Sequence, residues 1–326
     1  MRQLLDELSC EIKSKYMDLS VVIPLFNEEE SLAELVEWIN RVVDDQKIKS
    51  EIILIDDGSS DTSWQVVQDL SQKYPHVMGI KFRRNYGKSA ALNVGFKQAT
   101  GRVVITMDAD LQDSPDEIPA LMEAIDHKGY DLVSGWKKNR HDPISKTLPS
   151  KFFNRITRWI SKIKLHDFNC GLKAYRLDVV KSVEVYGEMH RYIPLLAKWA
   201  GFYNIGEQVV RHYPRKYGIS KFGFERFING FLDLLSITFV GKFAKRPMHF
   251  FGALGTLFLI IGFSVLAGLT VSKLVYDQGG IAERPLFFLG FLFLIIGTQL
   301  FVTGFLAELV VRSNPDRNNY LIESTV

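Results

Sequence analysis

Through residues 19–134, short apolar runs rich in β-branched residues alternate with stretches whose apolar positions recur at helical spacing. The runs 19–23, 51–55, 77–82, 103–107 and 131–134 predict strands. The intervening stretches 28–43, 62–73, 89–99 and 115–127 predict helices. Strand and helix in this rhythm predict an α/β domain, a Rossmann-like, mostly parallel sheet with helices on both faces. Ligands bind such sheets beyond the carboxyl ends of the strands. The polar residues that could carry chemistry fall there: Asn27 and Glu28, Asp56 and Asp57, Asn85 and Gly87, then Asp108 and Asp110.

Past residue 248 the pattern changes. Residues 250–271 and 285–307 contain no charged side chain. At 1.5 Å per residue, each helix would reach about 33 Å, against a hydrocarbon core of about 30 Å. A two-helix transmembrane hairpin is predicted, turning around 273–284, and Gly290, Gly297 and Gly304 would let its helices approach closely. Segments 151–164 and 222–243 put apolar residues on one helical face and bases on the other, a pattern shared by interfacial helices and buried amphipathic ones. The expected organisation is an amphipathic segment (1–18), a catalytic domain (19–221), juxtamembrane amphipathic helices (222–248), the hairpin (249–312) and a tail (313–326).

Charge sharpens this division. The net charge of the 326 residues is only +3, yet 211–246 holds eight basic and two acidic residues. Bases just before a spanning helix predict a cytoplasmic catalytic domain near anionic headgroups. Two cysteines, Cys10 and Cys170, suggest no disulfide framework and fit a reducing compartment. The first 18 residues lack the apolar core of a signal peptide.

Asp108-Ala109-Asp110-Leu111-Gln112 follows a wholly apolar strand. Carboxylates at alternate positions there can share a divalent cation, Mg²⁺ or Mn²⁺, that bridges phosphate oxygens. Asp113-Ser114-Pro115 supplies the cap for the next helix. In the run Asp56–Asp61, capping accounts for Asp61 but not for the paired Asp56 and Asp57, one of which could accept a hydrogen bond from a base. Asn85-Tyr86-Gly87-Lys88-Ser89 offers a pliant backbone at a helix start, suited to phosphate or ribose. It is not a Walker loop, because Phe82 stands where that motif needs glycine.

These four segments resemble a large family of inverting glycosyltransferases with a nucleotide-diphospho-sugar (GT-A) fold, and the hairpin makes the chain similar to its polyprenyl-phosphate branch, the bactoprenol glucosyltransferases and dolichyl-phosphate mannose synthases. The resemblance implies that Pro24, Phe26, Glu28 and Asp57 surround the base, with Asn85, Gly87 and Lys88 also on the nucleotide sugar and Asp108 near the ribose. Asp108, Asp110 and Gln112 would hold the metal. Phe26 stands where relatives often have tyrosine, so a hydroxyl contact is lost. Asp167-Phe168-Asn169-Cys170-Gly171-Leu172-Lys173 matches the second acidic motif, making Asp167 the conventional general base. A lipid monophosphate, with a second pKa near 6, is already mostly dianionic, so Asp167 could instead orient the sugar or stabilise charge at its anomeric carbon. Arg211, Arg215, Ser220 and Lys221, with Lys146 and Ser150, are similar to residues that grip lipid phosphate; Lys137 and Arg140 are weaker candidates.

The implied reaction is transfer of one sugar, glucose from UDP-glucose as the first choice, to undecaprenyl phosphate at a bacterial inner membrane. N-acetylglucosamine, mannose and an aminoarabinose derivative are the alternative sugars. A homo-oligomer and no nucleic-acid partner are expected. A processive polysaccharide synthase would need Gln-x-x-Arg-Trp after the acidic motif and more spans; Arg155-Ile156-Thr157-Arg158-Trp159 has arginine for glutamine and precedes Asp167. A transporter is disfavoured by spans without ionisable groups. A non-catalytic nucleotide-sugar scaffold is disfavoured by intact acidic loops.

Overall fold

The apolar runs become strands because their β-branched side chains find cover on both sheet faces. A computed structural model describes residues 17–138, 154–159, 161–217, 239, 243, 246–276 and 280–313. The chain divides into two units, Met1–Leu234 and Leu235–Val326. In the first, β1 (Leu19–Leu25), α1 (Leu32–Asp45), β2 (Ser50–Asp56), α2 (Ser63–Lys73), β3 (Val77–Lys81), α3 (Lys88–Gln98), β4 (Val103–Thr106), α4 (Ile118–Asp126) and β5 (Leu132–Trp136) follow the predicted order. They are joined by β6 (Lys173–Arg176), α5 (Leu177–Ser182), α6 (Ile193–Trp199) and β7 (Ile205–Val209).

The strands form a seven-stranded sheet in the order β3-β2-β1-β4-β6-β5-β7. β1 pairs in parallel with β2 and β4, as do β2 with β3 and β5 with β7. β6 inserts between β4 and β5, antiparallel to both. The sheet is therefore mostly parallel but mixed, and its centre places the segment after Asp167 directly beside β4. Val21, Ile23, Ile52 and Leu54 are fully buried, and α1 closes one face with Leu32, Leu35, Val36 and Ile39 at spacings of three and four.

α1 starts at Leu32 rather than at residue 28 because its approach is held by side chains of the next crossover. The Glu28 N–H donates to Ser63 Oγ at 2.9 Å, and Glu29 Oε2 accepts from the Thr62 N–H at 2.7 Å. Within the predicted amphipathic segment 151–164, Asn154, Thr157 and Ser161 are buried, whereas Trp159 is 80% exposed beside the exposed Arg155 and Arg158. The inward face thus mixes small polar side chains with Ile163, and the tryptophan points out. Segments 1–16 and 218–238, with Arg140, Lys146, Ser150, Ser220 and Lys221, lie outside the described residues.

The second unit contains α7 (Pro247–Tyr276) and α8 (Pro285–Ser313), both longer than the predicted spans. Each is long and apolar enough to cross a membrane. Gly290, Gly297 and Gly304 of α8 face α7: a Cβ on Gly297 would stand 2.8 Å from Leu259 N and 2.9 Å from Gly255 O. The repeated glycines close the hairpin on itself, so they offer no seam to a second copy.

Replacing Gly297 with valine should drive α7 and α8 apart and destabilise the hairpin by about 1–3 kcal/mol. Gly268→Val, where a Cβ would meet nothing within 4 Å, should be far milder. Thermal unfolding of the two variants in the same detergent checks the difference.

Candidate active site

Four strand ends meet in one polar cleft, and its centre is the loop leaving β4. Ala109 and Leu111 are anchored in the core. Leu111 takes φ +59, a left-handed backbone unusual for a non-glycine residue, and the turn lets the Gln112 N–H donate to Asp110 Oδ1 at 3.2 Å. Burial, followed by the nearby Asp108 charge, raises the Asp110 carboxyl above its ordinary pKa against the opposing Arg215 charge. The pair is a concentration of negative charge that the fold must balance.

Two cations arrive from distant parts of the chain. Lys88, the first residue of α3, donates to Asp108 Oδ1. Burial pushes the Asp108 carboxyl up, but Lys88, by charge and hydrogen bond, with Lys137 and His190, brings it down to about 2. Arg215 Nη2 donates to Asp110 Oδ2 at 2.6 Å, and its Nη1 lies 3.8 Å from Glu28 Oε1. Arg215, read from sequence as a phosphate ligand, is therefore in the same cleft as the carboxylates.

The wall opposite is built by the Asp167 motif. A Cβ on Gly171 would fall 2.5 Å from Asp108 Oδ2, so only glycine leaves the carboxylate where it is. Asp167 is 2% exposed. Its Oδ1 accepts the Asn169 N–H at 3.0 Å, and its backbone oxygen accepts from Ser134 Oγ at 3.1 Å. Lys173, the first residue of β6, is buried with its ammonium donating to Cys170 O, and burial lowers its pKa. Burial pushes the Cys170 thiol up to about 12, which makes it an inert packing group.

Beyond the end of β2, Asp57 joins two loops: Oδ1 accepts the Tyr86 N–H at 2.7 Å and Oδ2 the Gly87 N–H at 2.9 Å. Burial raises its pKa and these two bonds oppose the rise. Gly58 makes the approach possible, at φ +75 and with room for no Cβ, which would sit 2.5 Å from the Arg84 carbonyl carbon. Asp56 serves the turn, accepting from the Ser59 N–H at 2.8 Å, and Asp61 Oδ1 accepts the Ser63 N–H at 3.0 Å at the start of α2, the expected cap. Pro24, Phe26 and Glu28 are half-buried along this rim, and Asn85 is exposed.

Two residues differ from expectation. Asp113 does not cap the following helix; it is buried and pairs with Lys137 Nζ at 2.7 Å. Lys137 is thereby committed inside the domain instead of standing ready for lipid phosphate. Its ammonium is pushed down by burial and raised further by Asp113, a net rise. Arg211 has an exposed side chain, and its N–H donates to Glu117 Oε1 at 3.2 Å.

Sequence reasoning misses His190. Its Nδ1 lies 3.1 Å from Ser89 Oγ, and its N–H donates to the same oxygen at 3.0 Å. Burial, then the charges of Lys88, Arg191 and Lys173, lowers its pKa well below the usual imidazole range. No local pattern marks a histidine 101 residues from its partner. Beside Asp167, the His166 ring stacks on Trp136 with centroids 4.2 Å apart and Nδ1 against Glu207.

The donor set suits a hard divalent cation: Asp108, Asp110 and the Gln112 amide oxygen offer only oxygen. Among the described residues no three His, Cys, Asp or Glu side chains form a closed cage. One or two carboxylates completed by substrate phosphates is the usual mode for Mg²⁺ in phosphate sites. Lys88 and Arg215 pair with the two carboxylates that would hold such an ion.

Comparison with known proteins agrees with this geometry. The profile described as Glycosyl transferase family 2 matches residues 20–183. The dodecaprenyl-phosphate galacturonate synthase of Rhizobium johnstonii is 38% identical over 308 residues, covering 91% of this chain and 88% of its own. Among solved structures, glucosyl-3-phosphoglycerate synthase from Mycobacterium tuberculosis bound to phosphoglyceric acid aligns with TM-score 0.51 and 17% identity, covering 68% of this chain and 80% of that one. Its complex with Mn²⁺, uridine diphosphate and phosphoglyceric acid gives TM-score 0.52 at 17% identity, over 69% and 78% of the two chains. At that identity the likeness is one of fold, GT-A in type. Taken with the carboxylate loop and the apolar hairpin, these matches establish that the chain belongs to glycosyl transferase family 2, as one of its polyprenyl-phosphate glycosyltransferases.

Proposed function

We propose that this protein transfers one sugar from a UDP-sugar to the phosphate of a membrane polyprenyl phosphate, with inversion at the anomeric carbon. The observation that carries the reading is the pair Asp108 and Asp110 at the end of β4, each with a cation from a distant segment against it. Asp57, Asn85 and Gly87, with the rim of Pro24, Phe26 and Glu28, would receive the nucleotide. Asp108, Asp110 and Gln112 would hold Mg²⁺ or Mn²⁺, whose chemistry there is to neutralise charge on the departing diphosphate. Support for the metal and for uridine comes from the solved relative's complex with Mn²⁺ and uridine diphosphate.

The acceptor oxygen attacks in line from the side opposite the diphosphate. A polyprenyl phosphate dianion is already nucleophilic at neutral pH, so Asp167, tied to its own loop by the Asn169 N–H, serves to orient the sugar. Arg215 and the exposed Arg211 would receive the acceptor phosphate, with Lys146, Ser150, Ser220 and Lys221 proposed alongside them. The hairpin would anchor the protein in a bacterial inner membrane with the catalytic unit in the cytoplasm. An exposed Trp159 beside Arg155 and Arg158 is what an interfacial helix presents to headgroups. The 38%-identical relative is named for galacturonate, which puts UDP-galacturonate beside UDP-glucose as the first donors to try. Incubating purified protein with undecaprenyl phosphate and radiolabelled nucleotide sugars tests the function: label should enter a chloroform-soluble product, and its absence with every donor would overturn the reading.

Asp110→Asn should lower transfer by about 100-fold or more and abolish Mn²⁺-dependent binding of uridine diphosphate, measured by calorimetry. Gly171→Ala should act on the same measurements, because its methyl group displaces the Asp108 carboxylate.

Asp167→Asn should keep measurable turnover with an unaltered pH profile. Asp108, with its pKa held near 2, and His190, neutral well above its lowered pKa, do not change charge between pH 8 and 6. The decline in kcat/KM on acidification should follow acceptor protonation, near pH 6, together with protonation of Asp110, whose pKa burial raises; comparing native protein with Asp110→Asn separates the two. Complete inactivity of Asp167→Asn with intact donor binding would instead assign it the proton.

A further inference from the structure

We propose that α8 pairs with α8 of a second copy of this chain through Gln299, whose amide would otherwise face lipid at the middle of the bilayer. This rests on the hairpin spanning a membrane, as above, and not on the identity of donor or acceptor.

Gln299 lies 14 residues after Pro285 and 12 before Val311 in the apolar stretch of α8, so it falls near the bilayer centre. Two residues past Gly297, it stands about 200° around the helix from that seam residue. Gly297 is buried against α7, and Gln299 is exposed. The neighbouring threonines need nothing further: Thr298 Oγ1 donates to Leu294 O at 2.9 Å, and Thr303 Oγ1 to Gln299 O at 2.7 Å. The Gln299 side-chain amide makes no hydrogen bond among the described residues.

Apolar side chains on this face ask for no partner, because lipid tails serve them as well as another helix does. An amide does ask for one. In hydrocarbon it has no water to bond, and an unsatisfied polar group there is costly. Leu292, Ile295, Gln299, Val302 and Leu306 follow one another at spacings of three, four, three and four, the alternation of a and d positions in a coiled-coil seam, with Gln299 at an a position. All five are exposed.

The occupant follows from symmetry. Copies of one protein insert in the same direction, so two α8 helices meet in parallel, and in a parallel pair an a position faces its own counterpart. A primary amide carries both donor and acceptor. Two glutamines across a two-fold axis along the membrane normal can therefore exchange reciprocal N–H···O=C bonds and satisfy each other. A single polar a residue also fixes register, because any axial slip separates the amides.

The test uses the full chain, labelled with donor or acceptor fluorophores and reconstituted into phosphatidylethanolamine–phosphatidylglycerol vesicles. Energy transfer is followed as the protein-to-lipid ratio falls. Self-association should weaken by about 3- to 30-fold in Gln299→Leu, while Gln299→Asn, which keeps an amide, should lie between the two. A Gln299→Leu protein that associates as tightly as the native one overturns the proposal, as does a native protein that is monomeric throughout. Resistance of the same vesicles to carbonate extraction reports membrane insertion separately, so failure of the spanning reading is distinguishable from failure of the pairing.

Discussion

Two carboxylates two residues apart, one of them buried and the other partly so, cannot both stay ionised without positive charge beside them. That constraint organises the catalytic unit. It draws Lys88 from the start of α3 and Arg215 from beyond β7 onto the β4 loop, and it makes Gly171 necessary where β6 approaches. The Lys88–Asp108 side chains are 32% and 33% exposed, so solvent screens their attraction. The pair matters less as a source of stability than as a means of holding Asp108 ionised. Arg215–Asp110 is drier, at 29% and 10%, and ties the segment after β7 to the cleft.

Much of this architecture was legible in the pattern of apolar positions because β1, β2 and β4 are covered on both faces and read as unbroken β-branched runs. β6 was not. It is four residues long and begins with Lys173, a residue that pattern reading places at the surface and that here is buried with its ammonium on a carbonyl. β7, Ile-Gly-Glu-Gln-Val, is a half-exposed edge strand without apolar alternation. Both escape periodicity because pairing with neighbours, not composition, makes them strands. The antiparallel insertion of β6 follows from the same cause and carries the Asp167 motif to the site.

The acidic loops were equally legible as a set, since doubled or alternating aspartates after apolar strands exceed what helix capping requires. Their individual tasks were not. Asp57 is a recognisable ligand candidate, yet its two bonds to Tyr86 and Gly87 show that it also fixes the shape of the loop before α3. The sequence nominated both Arg215, by resemblance, and Lys137, as a weaker candidate, for phosphate. Only the fold separates them, by burying Asp113 under the first and aiming the second into the cleft. His190 carries no sequence signal because its meaning lies in a contact with Ser89 across 101 residues.

Arg215 has two demands on it that bear on the order of events. It neutralises Asp110 when no other cation does, and as a guanidinium it is suited to bidentate recognition of phosphate. A divalent cation arriving with the donor diphosphate would take over the first task, because it meets Asp110 with greater charge density. The guanidinium would then be released toward whatever anion next enters the cleft. On the proposed function, such an exchange would favour donor before acceptor without any moving lid: positive charge for the lipid phosphate would become available as the nucleotide sugar is seated. Lysine at the same position could neutralise one carboxylate, but it could not span Asp110 and Glu28 and afterwards present two parallel donors to a phosphate.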